Sequence, residues 1–367
     1  MRVAVDLRIL DRDGMERTGI GRQALEALGA VRAARPDWDF TVHSNRPDLV
    51  SAAPGVTVRE TRWPTASALG RQLWLRLAAG RAESQAPDVW WSPAFTLPAA
   101  WKGPSVVTVH DLVVHLHPEL YRGRLRARYV SGETRRSTRR AGRILCPSAA
   151  TRDRLAEEFG TSPEKVVVAP WGVSEAFRGV AATGGSGDYV LFVGRWEARK
   201  GLDVLHAALR EARSRDTPLR LVLAGGPGWG AADAVDALRT DPDVELIVDP
   251  SDEQLAELYA RALALVYPSR MEGFGLPVAE AMACGCPVVA SDLPEIRGWA
   301  DEGPLFVEPG DSTQLADALL SVAQSPERRA RMAGRGRETA AGLTWEAFGE
   351  TAAAAIEAAA GERSDGG

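Results

Sequence analysis

The chain has 367 residues, of which 45% are hydrophobic and 25% are charged, and its formal net charge at pH 7 is −5. That length suits two domains, each able to bury its own core, and the negative balance gives no case for nucleic-acid binding. No run of 18 apolar residues is present, which excludes a typical membrane-spanning helix.

Short β-branched runs alternate with helical patterns along the whole chain, beginning with the N-terminal run RVAVDL. This alternation predicts an α/β fold in which crossover helices connect the strands of two doubly wound parallel sheets. In the first half the predicted strands are RVAVDL, DFTVHS, VTVRE, DVWWS, SVVTVH, RILCPS and VVVAP. In the second half they are YVLFVG, LRLVLAG, VELIVD, LALVYPS, CPVVAS and PLFVEP.

The segment RGVAATGGSGD, residues 178–188, is rich in small residues and shows no periodicity, so it is predicted to be a linker. We therefore expect an N-terminal domain over residues 1–178 and a C-terminal domain over 179–343. An alanine-rich helix is predicted at 344–360, and the tail 361–367 is predicted to be disordered.

Two segments of the first domain place glycine or polar residues after a strand. In RTGIGRQ, Gly19 and Gly21 precede a helix predicted to begin near Arg22, and a G-x-G pair alone indicates little more than a flexible turn. In SVVTVHDL, His110 and Asp111 stand where a buried strand ends. Ligands of α/β proteins bind at that edge of the sheet, so this polar pair is a candidate for chemistry.

Two clusters contain residue types that can form metal or redox sites. His115 and His117 complete an H-x4-H-x-H pattern, but no carboxylate or cysteine cluster accompanies it, which favours structural roles. Cys284 and Cys286 flank a glycine between a helix end and a buried strand, which favours buried thiols over a metal or redox pair. The odd number of cysteines indicates no disulfide framework, so we expect a cytoplasmic protein.

The second domain opens with YVLFVGRWEARKG, in which a strand ends at Gly194 and two cations follow. Arg195 and Lys200 above the carboxyl edge of a sheet suit a diphosphate, the arginine as a fork and the lysine as a point charge. The next strand, LRLVLAG, ends in a glycine turn at Gly225, and this lone GG-x-G pattern is weak support for a nucleotide site.

The stretch EGFGLPVAE, residues 272–280, is the most informative part of the chain. A glycine-loosened loop that opens into a helix suits an anion, because free N–H groups and the helix dipole point toward it. Pro277 fits the first helical turn, where its missing N–H is not needed. Glu272 precedes this anion site and Glu280 lies one turn into the helix, so two carboxylates are placed to hold hydroxyls at both ends of a diphosphate ligand.

Three further features have ordinary structural explanations. The segment 122–143 contains nine arginines and one glutamate, which is typical of a solvated helix face, with contact to an anionic acceptor or membrane surface as the alternative. Trp91 at a strand end suits core packing, with stacking on a sugar as the alternative. Ser251 and Gln254 have the spacing of a helix capping box.

Taken together, these strings resemble the glycosyltransferases of family 4, which have the GT-B fold and retain the configuration of the transferred sugar. EGFGLPVAE matches the E-x7-E signature, VGRWEARK the VG-R-x4-K element, TVHDL the T-x-HD-L element and GIGR the G-I-G-R loop. The G-I-G-R loop is typical of a subgroup with many mannosyltransferases. The resemblance spans both domains, is strongest over residues 190–296, and implies two Rossmann-like domains facing a cleft, with the terminal helix crossing back to the first.

The resemblance also implies roles for individual residues. The expected catalytic residues are His110, Asp111, Arg195, Lys200 and Glu272. The expected donor-binding residues are Gly19, Gly21, Gly194, Arg195, Lys200, Gly225, Val248, Glu272, Gly273, Phe274, Gly275, Leu276 and Glu280. Glu272 is expected to contact the donor sugar and Glu280 the ribose.

The expected substrates follow from the same resemblance. The donor is a nucleotide diphosphate sugar, with GDP-mannose the first choice and a UDP- or dTDP-sugar the alternative. The acceptor is a glycan, a lipid-linked glycan or a small molecule, and a lipid-linked acceptor would suit a peripheral membrane contact through residues 122–143. No cofactor or metal is expected, because the implied enzyme stabilises its leaving diphosphate with Arg195, Lys200 and backbone N–H groups.

Two alternatives stay open at this point. One is a GT-B nucleotide-sugar epimerase, and the other is an inactive subunit that only binds the nucleotide sugar. For the favoured enzyme, we expect Lys200→Ala to lower turnover by orders of magnitude while leaving the melting temperature nearly unchanged.

Overall fold

The structure, a computed structural model, describes residues 1–12, 14–50, 55–60, 65, 70, 73–74, 87–120, 123–180, 187–215 and 217–361. The chain divides into two compact units. Unit 1 comprises Met1–His115, Leu125–Gly172 and Trp345–Gly367, and unit 2 comprises Leu116–Arg124 and Val173–Thr344. Most of the predicted linker and tail, residues 181–186 and 362–367, lies outside the described residues.

Unit 2 begins before the predicted boundary at residue 178, and the contacts of the chain explain why. The Val173 N–H donates to the Leu343 carbonyl at 2.8 Å, and the Arg178 guanidinium also donates to that carbonyl. These bonds tie residues 173–178 to the last turns of unit 2. Residues 116–124 also belong to unit 2, where the Trp229 indole N–H donates to the Leu120 carbonyl at 2.6 Å.

Unit 1 is built on a parallel sheet of seven strands in the order β3-β2-β1-β4-β5-β6-β7. In the register of the central strands, Val3 lies opposite Phe40 on one side and Val89 on the other. The strands are β1 (Arg2–Asp6), β2 (Asp39–His43), β3 (Val56–Arg59), β4 (Val89–Ser92), β5 (Ser105–Thr108), β6 (Arg143–Cys146) and β7 (Val166–Val168).

Unit 2 is built on a parallel sheet of six strands in the order β10-β9-β8-β11-β12-β13. Its strands are β8 (Tyr189–Val193), β9 (Arg220–Gly225), β10 (Val244–Val248), β11 (Ala264–Tyr267), β12 (Val288–Ser291) and β13 (Leu305–Val307). In both sheets the described strands coincide with the runs predicted from the sequence. The prediction of two doubly wound parallel sheets is therefore confirmed.

The described helices, in chain order, are α1 (Gly19–Ala34), α2 (Val113–Leu116), α3 (Arg124–Arg140), α4 (Ala149–Phe159), α5 (Glu175–Arg178), α6 (Leu202–Ser214), α7 (Ala232–Arg239), α8 (Asp252–Arg261), α9 (Leu276–Ala283), α10 (Pro294–Arg297), α11 (Ser312–Ala323), α12 (Pro326–Ala341) and α13 (Trp345–Gly361). The predicted capping box at α8 is confirmed, because Ser251 accepts from the Gln254 N–H and the Gln254 side chain accepts from the Ser251 N–H. In the part of the chain that the structure describes, no helix is both long and apolar enough to cross a membrane.

The terminal helix α13 belongs to unit 1, where it packs on α1. The two backbones approach so closely that a Cβ on Gly349 would lie 2.4 Å from the Ala30 carbonyl oxygen. Arg35, just after α1, donates to Glu350 and Glu357 of α13, each at 2.8 Å. The core of unit 2 lies between its sheet and flanking helices, with α6 and α11 in contact; fully buried members include Phe192, Leu205, Leu209, Leu223, Leu315 and Leu319.

Candidate functional site

In unit 2 the direction of the sheet order changes between β8 and β11. From β8 the chain continues toward β9 and β10, whereas from β11 it continues toward β12 and β13. The loops that leave the carboxyl ends of these two neighbouring strands therefore diverge and leave a crevice, which is where ligands bind in open α/β sheets. The loop after β8 carries Arg195 and Lys200, and the loop after β11 carries Glu272.

Glycines bring the backbone close together where β8 and β9 end. Gly194 and Gly225 have φ angles of 146° and 143°, in a region that other residues rarely adopt. A Cβ on Gly225 would lie 2.0 Å from the Gly194 carbonyl oxygen, so no larger residue fits there. Beyond this point the Arg195 side chain is half-exposed, its Nε lies 3.7 Å from Glu197 Oε1, and its guanidinium donates to the Pro227 carbonyl.

Lys200 and Glu272 form an ion pair across the crevice. Lys200 Nζ lies 2.6 Å from Glu272 Oε1 and 2.7 Å from the Tyr267 hydroxyl. Lys200 is 5% exposed and Glu272 is 8% exposed, so both charged groups are largely removed from bulk water. The sequence predicts both residues as site residues but does not predict that they bind each other.

Arg199, to which the sequence analysis gave no role, binds the same carboxylate. Its Nη1 lies 3.0 Å from Glu272 Oε1, and its Nε lies 2.9 Å from Oε2 of the buried Glu197. The cluster thus contains three cations (Arg195, Arg199 and Lys200) and two carboxylates, which leaves one net positive charge at the end of the sheet. Such a cluster attracts an anionic ligand.

The cations decide the protonation state of Glu272. Burial alone would raise the pKa of its carboxyl, but the charges of Lys200 and Arg199 outweigh burial and lower the pKa from 4.5 to about 2. Glu272 is therefore ionised at neutral pH. Burial also raises the pKa of the Tyr267 hydroxyl far above 10, and the nearby Glu272 charge adds to that shift, so this tyrosine stays protonated.

After Glu272 the chain turns into helix α9, whose N-terminus is open. Gly275 precedes the helix with a φ of 87°, a Cβ there would lie 2.9 Å from Ile296 Cγ1, and no side chain caps the helix. A helix N-terminus without a side-chain cap is suited to bind an anion through its free N–H groups. Phe274 stacks on Trp299 with ring centroids 4.8 Å apart, and the Trp299 indole N–H donates to the Phe274 carbonyl at 2.9 Å, which fixes the turn.

Glu280 lies further along α9 and is buried. Its Oε2 accepts a hydrogen bond of 3.1 Å from the hydroxyl of Tyr259 on α8. Burial, followed by the Glu280 charge, raises the pKa of Tyr259 well above 10. The structure thus gives Glu280 a protein partner that the sequence analysis did not identify.

The loops after β9 and β10 complete the carboxyl edge of the sheet. Val248 ends β10 and is 59% exposed, which is unusual for a large apolar side chain. Asp249 follows with a φ of 47°, the only positive φ of a non-glycine residue in the described ranges, and its N–H donates to the Gly225 carbonyl at 2.8 Å. An exposed apolar surface beside a strained turn suits contact with a flat ligand group.

In unit 1, His110 lies where β5 ends, as predicted. Its Nε2 lies 2.8 Å from the Pro93 carbonyl, which assigns the ring proton to Nε2, and the ring makes a T-shaped contact with Trp171, with ring centroids 5.5 Å apart. The side chain is only 2% exposed, and burial lowers its pKa despite the opposing charge of Asp111. His110 is therefore neutral at neutral pH. Asp111 Oδ1 accepts from the Val113 N–H at 3.0 Å at the start of α2.

The glycine loop of unit 1 is shorter than predicted. Helix α1 begins at Gly19 and not near Arg22, because the Thr18 hydroxyl accepts from the Gly21 N–H and caps the helix there. A Cβ on Gly21 would lie 1.9 Å from the Met15 carbonyl oxygen, so this position requires glycine. Gly19 and Gly21 thus form the first helical turn and not a flexible loop before it.

The histidines, cysteines and tryptophan for which the sequence allows a functional role have structural surroundings. His115 contacts Ser131 and Glu158, whereas His117 contacts Glu119, so the histidines have separate partners. Within the described ranges, no group of three or more histidine, cysteine or acidic side chains is placed to hold a metal ion. Trp91 is fully buried, as core packing requires, and burial raises the thiol pKa values of the buried Cys284 and Cys286, that of Cys284 to about 12.

The Arg-rich helix α3 has an inner and an outer face. Arg136 donates to Glu133 at 2.6 Å, and Arg140 donates to the Pro98 carbonyl at 3.1 Å, so these two arginines hold neighbouring segments. Arg126 and Arg128 face outward beside Leu125, which is 83% exposed. The predicted solvated face is therefore only part of this helix.

Two family models match consecutive parts of the chain: Glycosyltransferase Family 4 over residues 18–177 and Glycosyl transferases group 1 over residues 174–339. A D-inositol 3-phosphate glycosyltransferase of Frankia alni is 32% identical over 355 residues, which cover 83% of this chain and 85% of the relative. O-antigen chain mannosyltransferase B of Escherichia coli is 28% identical over 360 residues, which cover 90% of this chain and 93% of the relative.

Among solved structures, sucrose-phosphate synthase from Thermosynechococcus elongatus matches with a TM-score of 0.73 at 21% identity, over 95% of this chain and 96% of that one. This likeness supports a fold of two parallel sheets, one in each unit. Because the family models and the sequence relatives span most of its length, the chain belongs to the group 1, family 4 glycosyltransferases, and its fold is GT-B.

Proposed function

We propose that the protein is a retaining glycosyltransferase that moves a sugar from a nucleotide diphosphate donor to a hydroxyl acceptor without a metal ion. The observation that carries this proposal is the buried Lys200–Glu272 pair across the crevice of unit 2. It lies between the loop that carries Arg195 and the loop that opens into α9. Cations and a helix N-terminus suit a diphosphate, and a fixed carboxylate suits sugar hydroxyls.

In the proposed reaction, the bond between the sugar anomeric carbon and the diphosphate oxygen breaks while the acceptor oxygen bonds to the same face of that carbon. The acceptor proton passes to the departing diphosphate oxygen, so no protein base is required. Arg195, Lys200 and the Leu276 N–H stabilise the negative charge that develops on the diphosphate. His110 and Asp111 remain proposed catalytic residues on the strength of the family resemblance.

For the substrates, we propose GDP-mannose as the donor, with a UDP- or dTDP-sugar as the alternative. The name of the Escherichia coli relative, a mannosyltransferase, supports mannose. The relatives differ in their acceptors, since one is named for an O-antigen chain and the other for inositol 3-phosphate. We therefore propose a hydroxyl acceptor that is either a glycan, free or lipid-linked, or a phosphorylated small molecule.

A panel of GDP, UDP and dTDP tests the donor site by thermal shift, because a ligand that binds only the folded protein raises the melting temperature. We expect one of them to stabilise the wild type, and we expect Glu272→Gln to lose turnover of the matching sugar nucleotide. The sugar nucleotide incubated alone with wild type should be hydrolysed slowly. Conversion to an isomeric sugar nucleotide would instead support an epimerase, and binding without any turnover would support an inactive subunit.

We also propose that the outer face of α3 meets an anionic membrane surface, since Leu125 projects beside the exposed Arg126 and Arg128. Sedimentation with vesicles checks this directly. Wild type should bind vesicles that contain phosphatidylglycerol but not pure phosphatidylcholine, and Leu125→Asp with Arg126→Glu should abolish binding. Equal binding of the variant and wild type would contradict the proposal.

A further inference from the structure

Arg199 contacts both loops at the crevice of unit 2 and joins them. Its carbonyl accepts from the Arg270 N–H at 2.8 Å, and its Nη1 donates to the Met271 carbonyl at 3.3 Å and to Glu272 at 3.0 Å. These three bonds reach the loop after β11, while Arg199 itself lies in the loop after β8. One residue thus fixes the backbone that carries Glu272 as well as its carboxylate.

Glu197 holds the Arg199 guanidinium in this position. Glu197 Oε2 accepts from Arg199 Nε at 2.9 Å, and its side chain is buried. Gly228 makes room for it, because a Cβ on that glycine would lie 2.5 Å from Glu197 Cγ. The planar guanidinium therefore bridges two buried carboxylates, which a lysine ammonium with a single nitrogen does less well.

Lys200 and Arg199 have different tasks when a donor binds. In the proposed function Lys200 neutralises the diphosphate, but in this structure its ammonium is bound to Glu272 and Tyr267. When the Lys200 ammonium moves to the diphosphate, Glu272 loses the nearest of its cations. A buried carboxylate left without a cation is strongly unfavourable, so a second partner that stays in place is needed.

We infer that Arg199 is a positioning residue, anchored by Glu197, which keeps Glu272 ionised and fixed while Lys200 exchanges this carboxylate for the donor diphosphate. The inference rests on the proposed function. It assigns Arg199 no contact with the donor, so its effect must appear in turnover and its pH dependence more than in nucleotide affinity.

The pH dependence follows from the groups that face Glu272. These are Lys200 and Arg199 from the loop after β8, together with Tyr267 and Ser269 from β11 and the loop after it. Tyr267 stays protonated, so Arg199 is the remaining cation once Lys200 has moved. Loss of Arg199 raises the pKa of Glu272 and moves the acid side of the activity profile to higher pH.

The experiment compares wild type with Arg199→Gln, Arg199→Lys, Glu197→Gln and the control Arg215→Gln. Arg215 also binds two carboxylates, Glu211 and Asp317, but it is exposed and lies at the C-terminal end of α6, whereas the crevice loop leads into the N-terminal end of that helix. Two quantities are measured: hydrolysis of the preferred sugar nucleotide (GDP-mannose, UDP-glucose or dTDP-glucose) as a function of pH, and the Kd of the matching free nucleoside diphosphate.

For Arg199→Gln we expect kcat to fall about 100-fold through misplacement of Glu272 and the acid side of the profile to move up by about one pH unit. The Kd of the free nucleoside diphosphate should stay close to wild type. Arg199→Lys should have the wild-type pH profile because it keeps the positive charge. Glu197→Gln should shift the pH profile in the same direction as Arg199→Gln does. The control Arg215→Gln should behave as wild type.

An unchanged pH profile in Arg199→Gln, with turnover and thermal stability falling together, would show a structural role only and overturn the inference. If Arg199→Gln does not fold, an unchanged pH profile and unchanged turnover in Glu197→Gln would overturn it as well. A wild type that neither binds nor hydrolyses any of the three sugar nucleotides would instead overturn the proposed function, and the inference with it.

Discussion

Replacing Lys200 by alanine tests the energetics of the crevice cluster. The substitution removes an ammonium that lies 2.6 Å from the buried Glu272 carboxylate. Breaking a buried ion pair by removing one partner costs about 3–5 kcal/mol. Because Arg199 stays 3.0 Å from the same carboxylate, we expect the lower end of that range, about 3 kcal/mol.

For a domain of this size, each kcal/mol lowers the melting temperature by about 2–4 °C, so Lys200→Ala should melt about 6–12 °C below wild type. The sequence-based expectation of a nearly unchanged melting temperature is revised, because it treats Lys200 as a solvated surface cation. Differential scanning calorimetry measures the change, and the loss of turnover by orders of magnitude is still expected.

Three further variants show whether the missing charge is the cause. Lys200→Met keeps much of the side-chain volume, so it should be destabilised nearly as much as Lys200→Ala. Adding Glu272→Gln to Lys200→Met removes the stranded carboxylate and should recover part of the loss. Lys102→Met, at an exposed lysine of unit 1, should melt as wild type does. A melting temperature of Lys200→Ala equal to that of Lys102→Met would refute the reasoning.

Two further predictions concern Glu272 and Gly275. The folded pKa of Glu272 is about 2, below the ordinary 4.5, so its ionised form stabilises the fold above pH 4.5 and this stabilisation is lost as the pH falls toward 2. The melting-temperature difference between wild type and Glu272→Gln should therefore shrink over that range, and a difference independent of pH would contradict the assignment. Gly275→Ala should lose about 1–2 kcal/mol through its left-handed backbone and also bind the nucleoside diphosphate more weakly, because the new Cβ meets Ile296 and displaces the start of α9. Gly310→Ala is the matched control, since Gly310 has a φ of 88° and a Cβ there would meet no atom within 4 Å; it should lose stability but keep nucleotide affinity, and equal affinity in both variants would argue against an anion site at α9.

The sheets were predictable because local signals agree with the final structure. Runs such as YVLFVG and LALVYPS are β-branched or apolar on both faces, which is what strands covered on both sides require. The Ser251 cap was predictable for a similar reason, since its partner lies only three residues away. The start of α1 was misplaced, because two glycines suggest a loop, whereas the Thr18 cap and the close approach to Met15 favour a helical turn.

The candidate site was only partly predictable. The positions of Lys200 and Glu272 follow from their motifs, but they are 72 residues apart and their mutual bond depends on β8 and β11 being neighbours. Arg199 carries no local signal, because an arginine beside a lysine is ordinarily a solvated pair. Its role depends on Glu197, which the sequence does not mark as buried.

The return of α13 to unit 1 affects the order in which the protein can fold during synthesis. Unit 2 has all its residues once the chain reaches Thr344. Unit 1 starts at Met1, yet it lacks the helix that packs on α1 until Trp345–Gly361 has been made. The domain that emerges first from the ribosome is therefore the last to complete its core. A nascent chain exposes the apolar face of α1 until α13 has been made, and a chain truncated before α13 keeps that face exposed.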